Sequence, residues 1–136
     1  MDEACIEFNK SFKWLIKTAV SCSDGDPQVE KAHEVLMKVV RYNPDVPIKE
    51  CRDGIWKHRE IIVEGKADEI LKMSFDTSDH KDNKHGIDID HVISVLKQAW
   101  PSMSSEEQKK VIKKVQDLVP AVVKYEKARR IANKKK

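Results

Sequence analysis

The chain has 136 residues, 40% of them apolar and 36% charged, with a formal net charge of +3. That length suits one domain able to bury a core without disulfides or a structural metal, and the composition is that of a folded chain with a heavily charged surface. Its uncharged apolar runs are a handful of residues each, far short of the roughly 20 that span a bilayer, and the acidic start Met1-Asp2-Glu3 predicts no secretory signal.

Phe8, Phe12, Leu15, Ile16, Ala19 and Val20 fall on one stripe of a first helix, with Lys10, Lys13 and Lys17 off it. Ser21 to Gly25 breaks the pattern. Asp26-Pro27 then reads as an N-cap followed by proline at the first helical position, where its missing N–H is harmless. The second helix turns Val29, Ala32, Leu36, Val39 and Val40 inward until Asn43-Pro44-Asp45-Val46-Pro47 stops it. A third starts near Pro47 and carries Ile48, Cys51, Ile55 and Trp56 inward, with Gly54 costing about 1 kcal/mol relative to alanine. Ile61-Ile62-Val63 predicts an apolar turn tucked on the core and closed by Gly65. Lys66 to Met73 predicts a short helix with Ile70 and Leu71 inside.

Residues 74 to 86 are polar apart from Phe75 and predict a long exposed loop. The next helix begins at Asp88 as cap, with Ile87 stapled on Val92, and buries Val92, Ile93, Leu96, Ala99 and Trp100 before Pro101 ends it. Ser104 with Glu107, or Ser105 with Gln108, forms a capping box for the last helix. There Val111, Val115, Leu118, Val122 and Tyr125 make the inner stripe, widened by Ile112 and Val119. Pro120 sits inside it, removing one backbone bond and crowding the Gln116 carbonyl, so a kink or a meeting of two helices near Val119 is expected. The expected fold is all-α, a compact bundle of five to six helices with a long C-terminal helix kinked near Pro120. A single helical domain covers residues 1–128, with the exposed loop at 74–86, and a basic tail covers 129–136.

Several chemistries fail on spacing. Registering Gly86 at the sixth position of a calcium loop puts Lys81 at the first ligand and Val92 at the twelfth, where a bidentate glutamate is needed. His80, His85 and His91 match no closed zinc pattern. Glu30-x-x-His33 and Asp88-x-x-His91 lack the further inward glutamates of a di-iron bundle, and Asp88 serves better as a cap. With four glycines there is neither a Gly-x-Ser-x-Gly turn nor a phosphate-cradling loop, and nothing in the spacing joins Cys22 to His58 as a nucleophile and base. Cys5, Cys22 and Cys51 form no C-x-x-C pair and predict reduced, buried thiols. No catalytic residue, metal or cofactor is expected, and the protein reads as a non-enzyme.

Charge is polarised along the chain. Residues 106–136 hold eleven Lys or Arg against four Asp or Glu, which leaves residues 1–105 at minus four. Lys109, Lys110, Lys113 and Lys114 share one polar face of the last helix, and Lys124, Lys127, Arg129, Arg130 and Lys134 to Lys136 extend it. Such a face can meet phosphates without reading sequence, or can simply solvate the helix and favour its C-terminal dipole. Most of the eight aromatics fall on or beside core stripes, but Trp14 lies beside the first stripe and marks a protein-binding surface if its indole is exposed.

The order of Phe8-Asn9-Lys10 with Phe12 and Ile16, Pro44 and Pro47, Asp68-Glu69, Ile93, Leu96-Lys97, Trp100, Ser104 to Glu107 and Val111-Ile112-Lys113-Lys114 resembles a family of small uncharacterised all-helical proteins of giant and other nucleocytoplasmic large DNA viruses. The chain departs from that family at Ile70-Leu71, where the family has an aromatic pair, and at Val115, where it has tyrosine. The resemblance implies a viral, non-enzymatic helical protein, in the cytoplasm, virus factory or virion of an infected cell, and supplies no active site. The expected function is protein interaction through the helical surface and the basic end. Nonspecific nucleic-acid binding by the basic face of the last helix and its tail is the alternative.

Overall fold

A computed structural model describes residues 2–72 and 89–134, and among them there is no strand. The elements are α1 (Asp2–Cys22), α2 (Pro27–Tyr42), α3 (Val46–Lys57), α4 (Arg59–Glu64), α5 (Ala67–Lys72), α6 (Ile89–Ala99), a 3-10 turn (Trp100–Ser102) and α7 (Ser105–Lys134). The fold is an all-α bundle closed by a long C-terminal helix. The expected loop over 74–86, the Asp88 cap with its Ile87 staple, and His80 and His85 lie outside the described residues.

The bundle is organised around α1 and α7, which pack against each other more extensively than any other pair. They run antiparallel, since Trp14 faces Lys114 while Glu7 faces Lys124. The α1 stripe is buried from Ala4 through Phe8, Phe12, Leu15, Ile16 and Ala19. Phe8 and Phe12 stack at 5.6 Å between centroids, a contact worth about 0.5–1.5 kcal/mol beyond area burial. Asn9 is buried too, and its Nδ2 donates to the Pro44 carbonyl at 2.8 Å, tying α1 to the α2–α3 connection.

Helix ends follow the residues that punctuate them. Asp26 accepts from the Gln28 N–H at 2.9 Å and Pro27 follows as the first helical residue, so α2 begins where expected. Ser104 Oγ accepts from the Glu107 N–H at 3.2 Å, which is the forward half of the capping box. Gly65 ends α4 at φ +71°, a left-handed conformation that glycine adopts without strain.

Four expectations change in detail. Ile61-Ile62-Val63 is not a turn but the body of α4, with Ile62 buried, which brings the helices to seven among the described residues. Trp56 points outward and is 41% exposed, because the α3 stripe of Ile48, Cys51 and Ile55 leaves it round the side of the helix. Val39 and Val40 are half-buried instead of core, whereas Val95, one turn on from Val92, is buried. Finally, α7 runs through Pro120 as one element, so two helices do not meet there. Pro120 lies on the exposed side while Val119, Ala121 and Val122 are buried, so packing on either side of the proline holds the helix together despite the missing backbone bond.

Candidate binding surface

On α7, Lys109, Lys110, Lys113, Lys124 and Lys127 fall within an arc of about 100° at the standard turn per residue, opposite the buried stripe of Val111, Leu118, Val122 and Tyr125. Their neighbours then separate them. Lys109, Lys110 and Lys127 are exposed, and Lys113 reaches Asp117 only at 3.9 Å. Lys124 is a strut, with its Nζ 3.0 and 3.2 Å from the two Glu7 carboxylate oxygens and 3.7 Å from Glu3 on α1. The Glu7 hydrogen bond holds the Lys124 ammonium above the usual lysine range. Lys114 is half-buried, 5.9 Å from the Trp14 ring centroid. Trp14 is half-buried and packs against the core, so its indole is not the exposed one that would mark a protein-binding surface.

The exposed indole is Trp56, and it meets the other end of the basic run. By spacing, Arg129 continues the inner stripe of α7 beyond Tyr125, where the core has ended. A cation on that stripe has no apolar slot to fill and borders α3 instead. The result is a groove of about 290 Å³ between the end of α3 and the end of α7, with Val122 at its base and Arg52, Trp56, Lys57, Arg129 and Arg130 around it. Two carboxylates, Asp53 and Glu126, share the walls. Glu126 Oε1 is 3.4 Å from Arg52 Nη1 and 3.9 Å from Arg129 Nη1, so one acid is held between two guanidiniums. Arg52 Nε is also 3.7 Å from Asp53. Arg59 stacks on Trp56 with its guanidinium carbon 4.3 Å from the ring centroid, and its Nη1 donates to the Trp56 carbonyl at 2.7 Å.

The structure therefore divides the predicted residues in two: an outer lysine face at Lys109, Lys110, Lys113 and Lys127, and a groove reached only by Arg129 and Arg130. Lys127 and Arg130, three residues apart, are surface neighbours that join them. Arg52, Trp56, Lys57 and Arg59 were missed as site residues. Their signal is Arg52-x-x-x-Trp56-Lys57-x-Arg59, in which cations flank an aromatic at helical spacing.

The remaining reactive groups are arranged differently. Burial pushes the Cys22 thiol up, Glu107 adds to the effect, and burial raises Cys51 much further; a nucleophilic cysteine needs the opposite shift. His91 Nε2 lies 2.7 Å from Asp26 Oδ2, bracing α6 against the start of α2, and this hydrogen bond holds the Asp26 carboxyl below its ordinary range. No group of three or more His, Cys, Asp or Glu that could hold a metal ion exists among the described residues. A cavity of about 100 Å³ under α6 is lined by core side chains such as Phe12, Ile55, Val92, Val115 and Leu118. No described helix is long and apolar enough to cross a membrane.

No family model, curated protein or solved structure matches the chain, so its own side chains carry the functional argument.

Proposed function

We propose that this is a non-enzymatic binding protein that holds the phosphate backbone of nucleic acid, without reading sequence, along the cationic side of its C-terminal helix. The observation that carries this reading is the crowding of Arg52, Lys57, Arg59, Arg129 and Arg130 around one exposed indole, with Asp53 and Glu126 as the two carboxylates of the groove lining. The outward lysines of α7 lie beside that cluster through Lys127. Like charges do not gather for stability, since each raises the cost of the next; a polyanion offsets the repulsion and releases its counterions.

The test is retention of DNA or RNA against salt. Binding falls steeply between low and moderate salt, and the slope flattens when Lys109, Lys110, Lys113 and Lys127 are changed to glutamate together. No retention of either nucleic acid at low salt removes the reading.

A protein partner is the second reading. It is favoured by the Trp56–Arg59 stack and by Tyr42, which is 82% exposed, because Trp, Tyr and Arg dominate interface hot spots. A complex that survives salt and is lost on Trp56→Ala would support it. The likeness to helical proteins of large DNA viruses fits either partner, as a component of the virion or virus factory. The reduced cysteines Cys5, Cys22 and Cys51 fit a reducing, intracellular setting.

A further inference from the structure

We infer that the groove between α3 and the end of α7 takes a single strand of nucleic acid in preference to a duplex, with one base stacked on Trp56 and the neighbouring phosphates on Lys57, Arg129 and Arg130. This rests on the reading above and specifies its ligand. A lysine face grips any phosphate backbone, whether the bases are paired or not. An indole is different, because it gains by stacking only on a base whose own face is free.

The geometry of Trp56 suits that task. Arg59 covers the ring at 4.3 Å and is itself anchored by its bond to the Trp56 carbonyl, so the indole is braced from one side. Trp56 lines the groove and is 41% exposed even with Arg59 over the ring, so indole surface is left for a ligand. The groove, at about 290 Å³, lies just below the range of roughly 300–1,000 Å³ usual for small-molecule pockets and fits part of a strand better than a whole cofactor.

The electrostatics select the rest of the ligand. Each carboxylate of the groove faces a guanidinium: Glu126 lies 3.4 Å from Arg52 and 3.9 Å from Arg129, and Asp53 lies 3.7 Å from Arg52. Lys57 and Arg130 make no ion pair among the described residues and stand on opposite walls, one from each helix. A base between them carries a phosphate on each side, which is the repeat of a nucleic-acid strand.

The experiment uses the full chain, a fluorescent oligonucleotide of roughly 16 thymidines and the same strand annealed to its complement, compared by anisotropy at low salt. The single strand binds more tightly than the duplex. Trp56→Ala and Trp56→Leu weaken the single strand on the order of ten-fold and leave the duplex unchanged, whereas Trp56→Phe keeps the preference. The leucine variant retains apolar bulk, so it serves if the alanine variant folds poorly. Equal affinity for strand and duplex, or a preference that survives Trp56→Leu, overturns the inference while backbone binding stands. Binding of neither oligonucleotide at low salt overturns the reading beneath it.

Discussion

As far as Tyr125, α7 is a core helix: Val111, Leu118, Val119, Ala121, Val122 and Tyr125 are buried and α1, α3 and α4 lie against it. Past Tyr125 the same helix carries Arg129 on its inner stripe and Arg130 and Ile131 in the open. One helix thus has two jobs, set by what its inner stripe carries. Where the stripe is aliphatic, the helix packs through it, and its outer cations either brace a neighbour, as Lys124 braces α1, or face outward, as Lys109, Lys110 and Lys113 do. Where the stripe turns cationic, the helix stops packing and begins to offer a surface.

The sharpest way to break this comparison is to truncate one stripe residue in each region. Leu118→Ala removes a buried side chain that already borders a cavity of about 100 Å³, and costs about 2–5 kcal/mol in urea denaturation. Arg129→Ala, with its ion pair stretched to 3.9 Å, changes stability by no more than about 0.5 kcal/mol. Comparable losses at the two positions would mean that the end of α7 is packed like its middle.

Gly65 probes how the packed half holds its neighbours. A Cβ built there meets Gln116 Nε2 at 2.7 Å, and that same amide donates to the Ile62 and Val63 carbonyls at 3.3 and 3.2 Å. Gly65→Ala therefore costs about 1–2 kcal/mol from the left-handed backbone, and it also displaces the amide that fastens α4 to α7. Thermal melts that coincide with wild type would remove this bracket. Ser104→Ala is expected to cost about 1 kcal/mol by freeing the Glu107 N–H, with no effect on the preference for a single strand set at the far end of α7. A loss of that preference would join the two halves that the comparison separates.

Much of the fold is legible in the sequence because it lies in local chemistry. The α1 stripe, the Asp26-Pro27 start and the Ser104 cap each need only residues within a turn or two. The helical state of Ile61-Ile62-Val63 needs more: β-branched residues disfavour a short helix, and this one is held by Gly65 and by Gln116, 54 residues further along the chain. The candidate site was half visible for a similar reason. Composition pointed to Arg129 and Arg130, but Trp56 sits one residue after Ile55 and looks like a widening of its stripe. Only the position of α7 shows that Trp56, with Arg52 one turn earlier on the same helix, faces a groove.

The smallest effect concerns a third region, where α6 is pinned to the start of α2. Asp26 does two things there, capping α2 through the Gln28 N–H and meeting His91 Nε2 at 2.7 Å. Asp26→Asn keeps the cap, since asparagine serves equally well, and removes the charge that His91 meets. The His91 hydrogen bond holds the folded carboxyl below its ordinary value of 3.8. The unfolded chain therefore takes up a proton on Asp26 before the folded one does. The stabilisation is complete above that ordinary value and drains away as pH falls through the lower folded one. The melting temperatures of wild type and Asp26→Asn are thus expected to differ slightly at neutral pH and to converge below about pH 4. A gap that stays constant into acid would show that the cap alone matters. Either result leaves strand binding untouched, because this brace involves α2 and α6 while the groove lies between α3 and α7.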